Sequence, residues 1–229
     1  MDVLDNPVWH ALRETQRGHA EGGSEGGAEA LRLQPDIGPW LALPDDPTSE
    51  SWAALAELLG PGGTGLLIRP EGVEVASGWE KPFAGVAVQM VATASSHEPQ
   101  LEFEVLEEAD VPEMLELVAS TQPGPFAVRT IALGTYLGIR RNGHLVAMAG
   151  ERMQPPGFVE VSAVCTSAEH RGRGLAGALV SALVARVTAG GGAAILHVAK
   201  ENTGAIRLYE KLGFTARRRL TVLGVRAPE

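Results

Sequence analysis

The sequence predicts an α/β (α+β) protein, and three observations predict it. Val-rich segments with few breakers alternate with segments whose apolar residues recur at helical spacing. The strand-like run Gly157-Phe158-Val159-Glu160-Val161-Ser162-Ala163-Val164-Cys165-Thr166 leads through a glycine-rich turn into helical spacing from Ala178-Leu179-Val180 onward. Asn142-Gly143, a dipeptide that accepts the positive dihedrals of a tight turn, joins two apolar runs as a hairpin.

Taken in order, Asn6-Pro7 ahead of Val8, Trp9 and Leu12 predicts a short amphipathic helix with proline in its first turn. The glycine-rich 22–27 predicts a surface loop, and Leu31, Leu33 and Trp40-Leu41-Ala42-Leu43 predict short strands. Ser49 or Ser51 caps a helix through Trp52, Leu55, Leu58 and Leu59, which stops at Gly60-Pro61-Gly62-Gly63. Strands follow at 65–69 and 86–91. The tryptophans of this half, Trp9, Trp40, Trp52 and Trp79, read as core or domain-contact residues.

The polar, turn-rich 93–99 marks a boundary dividing the chain into 1–98 and 99–229. Beyond it a strand at 101–106 precedes a helix begun by Ala109-Asp110-Val111-Pro112 and carried by Met114, Leu115 and Val118. Pro123-Gly124-Pro125 interrupts the chain before 126–133, and the hairpin strands occupy 136–140 and 144–150. The expected order is strand, two helices, three strands, helix, strand, helix, strand.

A hydrophobic content of 45% over 229 residues is ample for a buried core. The net charge of -9 argues against a duplex nucleic-acid surface, where Lys and Arg dominate. The one cysteine, Cys165, forbids an internal disulfide framework and fits a reducing compartment. Neither a signal-peptide pattern nor a bilayer-length apolar run is found, so the expected location is cytoplasmic, with no membrane partner. The six histidines are scattered without ligand spacing, so no metal is expected.

A strand turning directly into a helix leaves the first helical N–H groups unpaired at the positive end of the dipole, where an anion is attracted. Gly172, Gly174 and Gly177 keep side chains out of its way, and Arg171 and Arg173 add positive charge. The six residues Gly172-Arg173-Gly174-Leu175-Ala176-Gly177 satisfy the dinucleotide fingerprint, but the chain left after them is too short for the second half of that fold. The same stretch resembles the coenzyme A loop of GNAT-type N-acetyltransferases at Arg171, Gly174 and Ala176. A second GNAT signature is matched at Asn202, Ala205, Leu208, Tyr209, Gly213 and Phe214.

The resemblance covers residue 101 to roughly the C-terminus and implies a GNAT acyl-CoA N-acyltransferase fold there, a mixed central sheet flanked by helices. The two-part plan looks like the branch that includes glycine N-acyltransferase, which implies a degenerate GNAT-like first half. The implied cosubstrate is acetyl-CoA and the implied acceptor a small-molecule or peptide amine; a homodimer is the one partner state expected of the chain itself. The resemblance places the pyrophosphate on the amides of 172–177 and assigns the backbone of Val164, Cys165 and Thr166 to the pantetheine arm and thioester.

Glu160 is a candidate general base, because strand alternation puts it on one face with Ser162, Val164 and Thr166; its pKa would have to be raised. His197, in the apolar Ile195-Leu196-His197-Val198, is its rival, since imidazole titrates in the useful range. Asn202 and Tyr209 lie two helical turns apart on one face, so Asn202 can hold the pantetheine while Tyr209 protonates the sulfur. Cys165 falls opposite Glu160 unless a bulge intervenes, and reads as a small buried hydrophobe. A non-catalytic acyl-CoA-binding regulatory module is the alternative.

Overall fold

The computed structural model describes residues 2–23, 29–93 and 101–229. Most of the expected loop at 22–27 and of the expected boundary at 93–99 lies outside the described residues.

Helix α1 (Pro7–Arg13) has proline in its first turn, as the sequence predicts. A three-stranded antiparallel sheet follows, made of β1 (Ala20–Gly22), β2 (Leu31–Leu33) and β3 (Leu41–Ala42). Helix α2 (Ser49–Leu59) is capped by Thr48, with Ser51 completing a capping box; the expected cap was Ser49 or Ser51. Strands β4 (Thr64–Pro70) and β5 (Glu80–Ala92) close this half.

Beyond residue 101, β6 (Glu104–Leu106) is shorter than the predicted strand. Helix α3 (Val111–Thr121) has Pro112 in its first turn and ends where Gln122 adopts a left-handed φ of 49°. In place of the expected second helix there is one 3₁₀ turn, Thr130–Leu133. Strands β7 (Tyr136–Arg141) and β8 (His144–Glu151) form the predicted hairpin, with Asn142 at φ 53° and Gly143 at φ 82°. Then come β9 (Phe158–Thr166), α4 (Leu175–Ala189), β10 (Ala193–Ala199), α5 (Thr203–Lys211) and β11 (Phe214–Arg226).

Eight strands make one mixed sheet, in the order β4-β11-β5-β10-β9-β8-β7-β6. Strands β4 and β5, from before the expected boundary, are therefore interleaved with β11 and β10 from beyond it. Among the described residues of this sheet, β9 and β10 are the one parallel pair.

Alternation along the strands sorts the core. Leu137, Ile139 and Val161 pack with α4 and α5 residues such as Leu179, Leu183 and Tyr209, whereas Tyr136, Met148 and Cys165 pack with Met114 and Leu117 of α3. Helices α4 and α3 thus cover opposite faces. Trp9 is buried in the α1 cluster, and Trp52 meets Trp79 edge to face with centroids 5.0 Å apart.

Candidate active site

The site exists because two neighbouring strands part company. The parallel ladder of β9 and β10 holds Ala193 opposite Phe158, Ala194 opposite Val159 and Ile195 opposite Glu160, and then stops. Beyond that point Val161, Ser162, Cys165 and Thr166 keep partners on the β8 side, while 161–166 face a cleft on the other.

A bulge accompanies the parting. Ala163 has φ 52°, and the β8–β9 register shifts between Met148 and Gly150. It also changes which face each side chain takes. Val161 and Val164 pack on the α4 side, while Ala163 and Cys165 pack on the α3 side. In an unbroken strand Val161, Ala163 and Cys165 would share a face. The expectation that Glu160, Ser162, Val164 and Thr166 point together is therefore corrected: Glu160 is left behind on the face that Ala163 and Cys165 occupy. Burial pushes the Cys165 thiol up to about 11, so it is the inert hydrophobe that the sequence suggested.

At the end of β9 the chain turns through Ala168–His170 into α4. Gly172 and Gly174 adopt φ 75° and 77°, and a Cβ at either would meet nothing within 4 Å. The amides of 172–177 make no backbone hydrogen bond among the described residues, and α4 has no side-chain cap. These are bare donors at the positive end of a fifteen-residue helix. Arg171 Nε bonds the Thr166 carbonyl at 3.2 Å and Arg173 Nη2 the Glu169 carbonyl at 3.2 Å, leaving both exposed guanidinium groups beside the turn. The open glycine faces and unpaired amides fit a diphosphate.

Helix α5 forms the opposite wall. Asn202 caps it, its Oδ1 accepting from Ala205 N at 3.1 Å. Two turns on, Tyr209 is 8% exposed, set edge to face on Phe214, and burial pushes its hydroxyl up to about 12. Between α5 and β9 lies a cavity of about 880 Å³. Val164, Cys165, Thr166, Arg171, Ala176, Asn202, His197 and Tyr209 all line it. Gly172, Arg173, Gly174, Leu175 and Gly177 stand at the adjoining turn, and Glu160 is not on the lining. The far wall comes from the first half of the chain, through Trp40, Leu66, Ile68 and Phe83, and from Arg152, Val222 and 121–125.

Glu160, 1% exposed, is gripped by Arg152, whose Nε and Nη2 donate to its two carboxylate oxygens at 3.0 and 2.6 Å. Burial alone would raise its pKa, but the charge of Arg152, with the hydrogen bonds from Arg152 and His197, outweighs burial and holds the carboxyl well below the usual carboxylate range. That is the reverse of the raised pKa expected for a base working near neutral pH.

His197 stands across a 2.7 Å contact from Nδ1 to Glu160 Oε1, and its Nε2 lies 2.9 Å from Gln89 Nε2. The tautomer follows from the surroundings. Gln89 Oε1 accepts from Arg217 at 2.8 Å and Gln89 Nε2 donates to the Leu4 carbonyl at 2.7 Å, so the amide can present only N–H to the imidazole. His197 Nε2 therefore accepts and Nδ1 carries the proton given to Glu160. Arg217, the extra residue where the β11 register slips between Ala216 and Arg218, continues the chain to Asp5 and Asp2. Both imidazole nitrogens are occupied.

Sequence reasoning missed Arg152, Trp40 and Gln89. A glutamine inside the apolar Val86-Ala87-Val88-Gln89-Met90-Val91 was the one available signal. Among the described residues no group of three or more His, Cys, Asp or Glu side chains is placed to hold a metal ion, and no helix is long and apolar enough to cross a membrane.

Comparison with known proteins agrees with this geometry. Residues 136–222 match the family described as FR47-like protein. No curated protein gave a significant match. A solved structure from Novosphingobium aromaticivorans, assigned to the GNAT family of acetyltransferases, is 38% identical over the full length of both chains, with a TM-score of 0.89. A GCN5-related N-acetyltransferase from Kribbella flavida shares the fold at 18% identity and a TM-score of 0.68, covering 99% of this chain and 96% of its own. A GCN5-related N-acetyltransferase-like protein from Streptococcus suis does so at 15% identity and 0.54, covering 96% and 92%. With the splayed strands, the bare-amide turn and a full-length relative at that identity, the chain belongs to the GNAT acetyltransferase family.

Proposed function

We propose that the protein transfers an acetyl group from acetyl-CoA to a primary amine by direct attack, both substrates being held at once in the cavity. The observation that carries this reading is the placement of three things at one cleft: the unpaired amides of 172–177 in the adjoining turn, the edge of 164–166 along it, and Tyr209 on its wall.

The turn binds the diphosphate through its amides, with Arg171 and Arg173 adding charge. The open edge of β9 accepts the pantetheine arm as a strand would, and its N–H groups polarise the thioester carbonyl. Tyr209, kept protonated by burial, donates to the sulfur as negative charge builds there. The amine nitrogen bonds to the carbonyl carbon, the carbon–sulfur bond breaks, and the sulfur leaves as thiol with the Tyr209 proton. The surplus proton on nitrogen replaces the one Tyr209 gave up, so amine and thioester become amide and thiol with nothing left over.

In this reading Glu160 and His197 are positioning residues. Glu160 sits at the last rung of the β9–β10 ladder, and its carboxylate ties Arg152, beyond β8, to His197 on β10. It fixes the apex from which the strands diverge.

Thiol release from acetyl-CoA, screened over pools of primary amines, tests the proposal. At least one pool should give turnover, and Tyr209→Phe should lower it about 100-fold. Acetyl-CoA binding with no thiol release from any amine would instead support the acyl-CoA-binding regulatory module.

A further inference from the structure

The wall of the cavity away from the glycine turn holds one ionised side chain among apolar ones. Trp40, Leu66, Ile68, Phe83 and Val222 form the apolar part. The ionised group is Arg152, only 9% exposed, with its guanidinium carbon 4.7 Å from the centre of the Trp40 ring.

Glu160 uses only one edge of that guanidinium, the side made by Nε and Nη2. Nη1 has no hydrogen-bond partner among the described residues, although it is not sealed from the cavity. A guanidinium presents five N–H donors in a planar fork, so the end edge of Nη1 and Nη2 remains for a second planar anion. The Trp40 ring fixes the plane of that fork.

The charges elsewhere on the lining sharpen the choice. Glu201, exposed at the mouth before α5, is the only acidic residue lining the cavity among the described residues, and Glu160 faces away behind Arg152. A polyamine or a basic peptide would bring several positive charges to a wall that already carries Arg152 and offers no carboxylate. An amine with its own carboxylate meets the opposite situation, since the carboxylate takes the free fork and an apolar side chain takes the wall.

Resting on the acetyl-transfer reading above, we infer that the acceptor is an amino acid with an apolar side chain, its carboxylate held end-on by Arg152 over Trp40 and its side chain against Leu66, Ile68 and Phe83. Glycine, with nothing to place on that wall, is a poor acceptor.

The test compares leucine, leucinamide, 3-methylbutylamine and glycine as acceptors for the unaltered protein, by thiol release at saturating acetyl-CoA. Leucine should exceed each of the other three in kcat/KM by about 30-fold, the scale of a charge-assisted pair or of a buried side chain. Turnover in which leucinamide or 3-methylbutylamine equals leucine would overturn the inference and leave acetyl transfer standing.

A binding arm decides the matter without turnover. In the presence of coenzyme A, N-acetylleucine should raise the thermal midpoint and N-acetylleucinamide should not. Equal shifts, or none from either, would also overturn it. Because Arg152→Gln strands Glu160, the variant to use is Arg152→Met with Glu160→Gln, which removes both charges together. It should lose the preference for N-acetylleucine and keep the midpoint shift given by acetyl-CoA. Retention of that preference would show that Arg152 is not the carboxylate's partner.

Discussion

Gln89 on β5 and His197 on β10 stand directly opposite in an antiparallel register, and the Gln89 amide nitrogen donates to His197 Nε2 at 2.9 Å. One side chain thereby serves Arg217, Leu4 and His197 at once. It joins the N-terminal turn to the strand beside the site.

Replacing that residue exposes how much it satisfies. Gln89→Leu leaves an imidazole nitrogen, a backbone carbonyl and a guanidinium N–H without partners, and should cost about 3 kcal/mol in urea unfolding, since each orphaned group costs about 1–3 kcal/mol. Nitrogen NMR of the unaltered protein should show the His197 proton on Nδ1, with Nε2 accepting from Gln89. A proton on Nε2 would break the hydrogen-bond chain as described.

Glu160 predicts an acid limb. Its folded pKa is depressed below the ordinary 4.5, so the stability it contributes is fully present above that pH and is lost as pH falls below it. For one proton the slope of unfolding free energy approaches about 1.4 kcal/mol per pH unit. Glu160→Gln should flatten that limb and, by leaving Arg152 buried and unpaired, lower stability at pH 7 by about 3–5 kcal/mol. Denaturant melts from pH 3 to pH 7 check both. An unchanged slope would mean that Glu160 is not the group being protonated.

The Tyr136 ring lies across Gly150, where an added Cβ would approach ring carbons to 2.2 Å. Gly150→Ala should therefore destabilise by about 1–3 kcal/mol through overpacking, with a lowered thermal midpoint as the readout.

Gly174 caps α4 at φ 77° beside the bare amides. Gly174→Val imposes a β-branched side chain on a left-handed position and crowds the anion face. Calorimetry should show acetyl-CoA affinity falling at least about 10-fold, a change of about 1.4 kcal/mol.

Much of this was legible wherever a local rule decides the structure. Asn142-Gly143 dictated its hairpin, Pro112 the first turn of α3, and the glycines after Thr166 the turn of unpaired amides. The signature from Asn202 to Phe214 placed Tyr209 on the cavity wall. What could not be read depends on partners remote in sequence. The insertion of β5 between β10 and β11 brings Gln89 to His197 across 108 residues. Trp40 reaches Arg152 through packing that no short pattern encodes. The bulge at Ala163 was hidden because nothing marks alanine as a residue of positive φ, and beyond it Val164 no longer shares the face of Glu160.

The central claim is that the turn after Thr166 and the open edge before it hold one molecule of coenzyme. Titrating the nitrogen-labelled protein with acetyl-CoA and following amide shifts tests it most directly. The largest shifts are predicted at 172–177 and at 164–166, with a change at the Tyr209 ring. Saturable binding that leaves those amides unmoved and perturbs another surface would contradict the account.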